Sequence, residues 1–446
     1  MSERLIVVGG VAAGMSAAAK AKRTRKGLDI VVYEQSGHVS YGSCGFPYFI
    51  KGEIPNVEEV IARTPAQFAA QGIQARIHHR VLAVETATQT LRVENLETGR
   101  EFVDHWDGLI LATGGTAARP PIPGLELPGI FTLRTVEDAV AIRQWLEERQ
   151  PRRGVIVGGG SIGMEMAEAL SAYGVELAVV EMRSQVLPNL DAEMAGYVQD
   201  ELRRWKVALH LGRAVQAFEG RGRVEWAVVG EERLPAELVI FSIGVKPDVS
   251  LARGAGLILG PTGAVAVDER QRTSVAKVWA AGDVAEARHL VTGRPAYMPL
   301  GTTANKQGKV AGANAAGGDE TFPGIVGTSV VKVFGLTAAQ TGLTEKQTRA
   351  EGIDAAAVTI TANSRANYMP DRASIHVKLT FVRDSRRVLG CQMVGSDGVA
   401  KRIDVVAAAL RAGWATRDLA DLDLAYAPPF APVWDPILVA ANAANR

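Results

Sequence analysis

Cys44 lies in the run Ser40-Tyr41-Gly42-Ser43-Cys44-Gly45-Phe46-Pro47-Tyr48, where Ser43 and Gly45 indicate tight local geometry rather than core filling. The chain has 2 cysteines; the other, Cys391, sits far away in the alternating run Val388-Leu389-Gly390-Cys391-Gln392-Met393-Val394. Free cysteine commonly serves as a small buried hydrophobe, and the alternation assigns that role to Cys391. Cys44 instead follows, by about thirty residues, a glycine loop of the kind that cradles a pyrophosphate: Gly9-Gly10-Val11-Ala12-Ala13-Gly14. A lone thiol so placed is a candidate one-cysteine redox centre. It would act as a thiolate, attacking a disulfide or exchanging electrons with a neighbouring redox group.

A second glycine loop, Gly158-Gly159-Gly160-Ser161-Ile162-Gly163, keeps the full G-x-G-x-x-G spacing, whereas Val11 replaces the middle glycine of the first. Each loop follows an apolar run, opens a helical pattern and precedes another apolar run ending in an acid. Those acids are Glu34, twenty residues past Gly14, and Glu181, eighteen past Gly163. One such match is weak evidence. Two complete βαβ patterns point to two dinucleotide sites, with the helix start facing a pyrophosphate and the acid accepting from a ribose hydroxyl. Glu181 favours NADH by repelling a 2′-phosphate, against which Arg183 offers a guanidinium of the kind that binds NADPH.

Parallel strands must carry these loops. Leu109-Ile110-Leu111-Ala112-Thr113-Gly114-Gly115 reads as a further strand and glycine turn. Val278-Trp279-Ala280-Ala281-Gly282-Asp283 reads as another, with an acid able to accept from a sugar-chain hydroxyl or lie beside phosphate. The patterns predict an α/β chain with two Rossmann-like dinucleotide-binding domains. The first is discontinuous, over 1–115 and 246–321, and the second is inserted at 116–245. A C-terminal α+β domain follows over 322–446, with an antiparallel sheet expected from alternating runs at 329–334, 375–382 and 388–394. Helices are expected there at 344–351 and 399–412.

A length of 446 residues suits several domains. The net charge of +1, without a long basic run, gives no footing for nucleic-acid binding. Two distant cysteines make no disulfide framework and fit a reducing cytoplasm. Glu3 and the interrupting Gly9, Gly10 and Gly14 favour strand, loop and helix over a signal peptide. No run approaches about 18 apolar residues, so no membrane span is expected; nor is a metal site.

The two dinucleotide folds, Ala112-Thr113-Gly114, Ala281-Gly282-Asp283 and the antiparallel C-terminal part resemble the pyridine nucleotide–disulfide oxidoreductases over essentially the whole chain. The glutathione-reductase branch carries a C-x4-C dithiol. A single cysteine in Ser43-Cys44-Gly45 is instead similar to the branch of coenzyme A-disulfide reductases, NADH oxidases and peroxidases, and persulfide reductases. Oxidases and peroxidases carry a histidine in the first glycine loop, where Ala12 stands here. Asn367-Tyr368-Met369-Pro370 and Tyr426-Ala427-Pro428-Pro429-Phe430 also resemble the coenzyme A-disulfide reductases. Persulfide reductases commonly add a rhodanese domain, for which the chain leaves no room.

The resemblance implies a homodimeric NAD(P)H-dependent flavoprotein that reduces coenzyme A disulfide through Cys44. FAD would be held by Gly9, Gly10, Ala12, Ala13, Gly14, Glu34, Ala112, Thr113, Gly114, Gly282 and Asp283. The nicotinamide nucleotide would be held by Gly158, Gly160, Ile162, Gly163, Glu181 and Gly244. Ser16, Lys20 and Arg23 share one helix face by their spacing; with Ser40, Ser43, Arg76 and Asn305, the resemblance makes them contacts for coenzyme A. Tyr368 and Tyr426 would reach a partner subunit's cysteine, either holding the substrate or protonating the departing thiolate. Alternatives left open are an NAD(P)H oxidase or peroxidase cycling Cys44 through sulfenic acid, a polysulfide or persulfide reductase, and a redox-sensing flavoprotein.

Overall fold

Strand Arg4–Val8 pairs in parallel with Asp29–Tyr33 and Gly108–Leu111 in a computed structural model that describes residues 3–446. Ile73–Arg76 and Val278–Ala280 complete a five-stranded parallel sheet at its two edges. Alternate side chains serve its two faces. Leu5 and Val7 pack with helix Ala12–Thr24 and with Ala304 and Ala311 of helix Gly301–Ala315. Ile6 and Val8 pack with Val81, Leu91 and Val93 of an antiparallel meander formed by His79–Glu85, Thr90–Asn95 and Arg100–His105.

A second parallel sheet runs Ala208–Leu211, Glu176–Glu181, Arg153–Val157, Leu238–Phe241, Ile130–Phe131. Helix Ser161–Ser171 follows its central strand. Gly115–Ala117 and Val245–Pro247 pair antiparallel, joining the entry and exit of the chain segment that forms this sheet. The third sheet is antiparallel, in the order Ser329–Val333, Leu336–Gly342, Val388–Gly395, Ser374–Val382, Ala355–Asn363. Helix Val399–Ala412 spans the residues expected from the sequence. The 344–351 expectation becomes Glu345–Ala350, capped by Thr344, whose hydroxyl accepts from the Gln347 N–H. Cys391 is buried in this sheet, and burial pushes its thiol up.

Lys378, 3% exposed, ties the third sheet to the second unit by pairing with Asp191, Glu193 and Glu345. Burial works against its charge, but those three carboxylates outweigh it and raise its pKa. Among the described residues no helix is long and apolar enough to cross a membrane.

Candidate active site

Cys44 is exposed in the single turn Ser43–Gly45, which runs into helix Phe46–Lys51. Packing and hydrogen bonds from three directions fix this segment. The Ser40 N–H donates to the Gly10 carbonyl at 2.9 Å, coupling the cysteine loop to the first glycine loop. A Cβ on Gly45 would lie 2.8 Å from Val60 Cγ1, so a larger residue would push the turn off its support. Phe46 and Ile50 are fully buried, each worth about 2 kcal/mol of apolar burial. Lys51 pairs with Glu168 at 2.7 Å, and Glu168 also pairs with Lys332 of the third sheet. The Tyr173 hydroxyl donates to the Ile50 carbonyl at 2.8 Å, and Arg143 lies 4.7 Å over the Phe49 ring.

The two glycine loops are built alike. A Cβ on Gly14 would stand 1.8 Å from the Gly9 oxygen, and one on Gly163 2.2 Å from the Gly158 oxygen. Gly9 and Gly158 have φ of +99° and +107°, open to glycine at little cost. Glu34 accepts from the Gly10 N–H at 2.7 Å and the Ser36 N–H at 2.8 Å. Glu181 repeats this with the N–H groups of Gly159 at 2.7 Å and Arg183 at 2.8 Å. Neither Val11 nor Gly160, the residues capping the two helices, has a side-chain cap, so the first helical N–H groups are left for another acceptor. A Cβ on Gly160 would meet no protein atom within 4 Å, consistent with close approach of a ligand rather than a packing need.

Both helix starts open into one cavity of about 2100 Å³ that also contains Cys44. Gly9, Ala12, Ala13, Glu34, Ala112, Thr113, Gly114, Gly282 and Asp283 line it, with Gly160, Ile162 and Gly244. Gly10, Gly14, Gly158, Gly163 and Glu181 are not on that lining and act by shaping the loops. The Thr113 hydroxyl donates to the Asp248 carbonyl at 2.7 Å. The cavity is large enough for extended dinucleotides, and the buried Tyr297 hydroxyl on its wall has no partner among the described residues. Uncapped helix starts, an orphaned donor and glycine-lined walls all fit phosphate-bearing cofactors.

Three lining residues carry chemistry that the motifs did not disclose. Arg134 pairs with Asp283 at 3.3 Å and donates to the Gly115 carbonyl at 3.1 Å. Tyr297 is the second. The third, Glu165, lies one helical turn past the Gly160 cap. Burial and the nearby Glu168 raise its pKa to about 7. Burial, then Glu165 and Asp283, push the Cys44 thiol up, against a smaller opposite pull from Arg134. The chain's own groups therefore favour the thiol over the thiolate that its chemistry needs.

The remaining residues expected from the sequence fall into five places. Ser16 and Asn305 meet, the hydroxyl donating to the amide oxygen at 2.5 Å, and Ser43 and Asn305 both line the cavity. Ser40 has φ +53° and acts through the loop. Lys20, farther along its helix, pairs with Glu320 at 2.5 Å, while Arg23 is exposed. Arg76 lies 5.7 Å over the Tyr33 ring and donates to the Tyr33 hydroxyl and Gln74, outside the cavity lining. Tyr368 and Tyr426 are outside it too; their hydroxyls are 3.3 Å apart, and that hydrogen bond raises the Tyr368 pKa.

Residues 3–308 match the family described as pyridine nucleotide-disulphide oxidoreductase, and residues 328–436 match that family's dimerisation domain. The chain is 40% identical over 444 residues to an NAD(P)H coenzyme A polysulfide/persulfide reductase of Pyrococcus horikoshii, covering 99% of this chain and 98% of the relative. It is 34% identical to an NADH oxidase of Methanocaldococcus jannaschii, covering 99% of each. Identity is 29% to a coenzyme A disulfide reductase of Staphylococcus aureus, covering 96% of each. Among solved structures, reduced Bacillus anthracis CoADR-RHD superposes with a TM-score of 0.97 at 37% identity, covering 100% of this chain and 80% of that one. An NAD-dependent persulfide reductase from A. fulgidus gives 0.96 at 38%, covering 99% and 83%. The chain belongs to the pyridine nucleotide-disulphide oxidoreductase family.

Proposed function

We propose that this NAD(P)H-dependent flavoprotein reduces coenzyme A disulfide through Cys44, with the first glycine loop for FAD and the second for the nicotinamide nucleotide. The observation that carries the reading is one accessible thiol in the cavity that both loops enter, with the other thiol buried in a distant sheet. Transfer of two electrons from nicotinamide to sulfur is the chemistry that FAD supplies when bound. Deprotonated Cys44 attacks one sulfur of the disulfide, forming Cys44–S–S–CoA and releasing the other coenzyme A as thiolate. Two electrons and one proton then cleave that bond, returning the Cys44 thiolate and a second coenzyme A thiol. Ser43 and Asn305 sit where a substrate entering beside Cys44 would meet them. Ser16 holds Asn305, and Tyr368 and Tyr426 of a second subunit would guide the leaving thiolate. In this reading the FAD domain comprises 1–115 and 246–321, the nicotinamide domain 116–245, and the dimerisation domain 322–446.

A persulfide or polysulfide acceptor is the second reading, supported by 40% identity to the Pyrococcus enzyme against 29% to the staphylococcal disulfide reductase. Anaerobic NADH or NADPH oxidation with coenzyme A disulfide, beside coenzyme A persulfide, tests both. Turnover yielding free coenzyme A should fall at least a thousandfold in Cys44→Ser. A wild type inert toward the disulfide but fast with persulfide would reverse the order. One that oxidises the nucleotide only in air would replace both with an oxidase.

A further inference from the structure

Helix Ser161–Ser171, opened by the second glycine loop, carries a second acid one turn past Glu165. This is Glu168, a largely buried side chain whose carboxylate is the meeting point of three parts of the chain. One oxygen accepts from Lys51, the last residue of the helix that follows Cys44, at 2.7 Å, and also from Lys332 of the third sheet. The other accepts from the Phe334 N–H at 3.0 Å. Phe334 is at the tip of the hairpin joining Ser329–Val333 to Leu336–Gly342, with φ of +51°, uncommon for an aromatic residue. The second unit grips this tip from another side too. The Gly335 N–H donates to Glu201 at 3.0 Å, and the Phe334 ring stacks on Trp205 with centroids 4.7 Å apart.

Resting on the reading of Cys44 as the reactive thiol, we propose that Glu168 is a positioning residue for it. Glu168 joins the cysteine helix, the helix of the second glycine loop and the third sheet's hairpin into one arrangement, and sets the charge that Cys44 meets at Glu165. The two acids are three residues apart on one helix, so they share a face, where like charges repel. Glu168 is the one that stays ionised: burial works against its charge, but Lys332 and Lys51 outweigh it and lower its pKa. Nothing comparable acts on Glu165, where burial, then Glu168, raise the pKa to about 7. Around the pair stand Tyr48 and Lys51 of the cysteine helix, Glu53 just past it, and Lys332 of the hairpin strand; Asp283 and Arg134 reach Cys44 from the cavity. A thiolate forms less readily beside a second negative charge. By holding Glu165 neutral in mild acid, Glu168 spares Cys44 that charge there.

The test uses the full-length, FAD-loaded protein with Cys44 reduced, and follows alkylation of Cys44 by iodoacetamide across pH by peptide mass spectrometry. At each pH the rate with Glu165→Gln is divided by the rate without it, which cancels changes of access common to both. In the otherwise unaltered chain, that ratio should be near one at pH 6 and severalfold at pH 8. With Glu168→Gln in both proteins it should already be severalfold at pH 6, because Glu165 then ionises at lower pH. Lys332→Gln should act in the opposite direction, drawing the ratio at pH 8 toward one, a reversal that general loosening of the joint would not give. Rates that change while the ratio keeps its pH profile would overturn the proposal and leave Glu168 a structural contact. If alkylated Cys44 leaves disulfide turnover intact, the reading of the thiol falls and this role falls with it.

Discussion

At the scale of single residues, the most consequential finding is that the cavity opposes ionisation of its own thiol. Desolvation leads, followed by the negative charges of Glu165 and Asp283, with Arg134 pulling the other way. Glu165 titrates near 7, so it is neutral in mild acid and charged in mild alkali. Its effect on Cys44 is therefore present above about pH 7 and fades below it. In cofactor-free protein, Glu165→Gln should speed alkylation of Cys44 at pH 8 severalfold, because removing the nearby negative charge lets the thiol ionise more readily. At pH 6, where Glu165 is mostly neutral, the two proteins should react at nearly the same rate. Cys391 is buried and serves as the unreactive control. An equal difference at both pH values would mean that the substitution altered access rather than charge. Residues such as Glu165, Arg134 and Tyr297 were illegible in the sequence because their role comes from burial and from distant neighbours. Cys44, by contrast, announced itself by rarity and by spacing from a glycine loop.

Among the elements, legibility follows periodicity. The βαβ units were readable because buried strands such as Arg4–Val8 and Arg153–Val157 are continuous apolar runs ending in glycine turns. The C-terminal strands were readable from alternation. Helix Gly301–Ala315 was not, because small and polar residues surround it and its buried face includes Thr303, Gln307 and Asn314. Nothing in its own sequence marks its position; contact with helix Ala12–Thr24 does. A Cβ on Gly308 would lie 2.2 Å from the Ala13 oxygen and one on Gly312 2.1 Å from the Ala17 oxygen. The helices touch backbone to backbone, and this contact sets Asn305 against Ser16. Gly308→Val should cost about 2 kcal/mol or more in urea unfolding and weaken FAD retention, because the first helix carries the glycine loop. Gly301→Ala, whose Cβ meets no atom within 4 Å, should be nearly neutral in the same experiment. Equal effects at both positions would show that helix propensity, not the close approach, governs the outcome.

For the whole molecule, the separation of Cys44 from Tyr368 and Tyr426 becomes meaningful through the exposed apolar surface. Phe430, Val433 and Trp434 are 79%, 63% and 62% exposed, in the segment that begins with Tyr426 and falls largely within the dimerisation-domain match. Scattered exposed hydrophobics are ordinary, but several large ones within nine residues, beside a pair of exposed tyrosines, mark a surface made to be covered. Neither Tyr368 nor Tyr426 lines the cavity of its own subunit's Cys44; in the proposed reading a second copy covering this surface would bring them to the partner's thiol. Phe430→Glu combined with Trp434→Glu should therefore convert a sedimenting dimer into a monomer that retains FAD. Reduction of coenzyme A disulfide should fall at least a hundredfold. Reduction of ferricyanide, which needs the cofactors but not a shaped thiol site, should persist within a fewfold of wild type. A monomer with undiminished disulfide turnover would show that the tyrosines act on their own subunit or not at all.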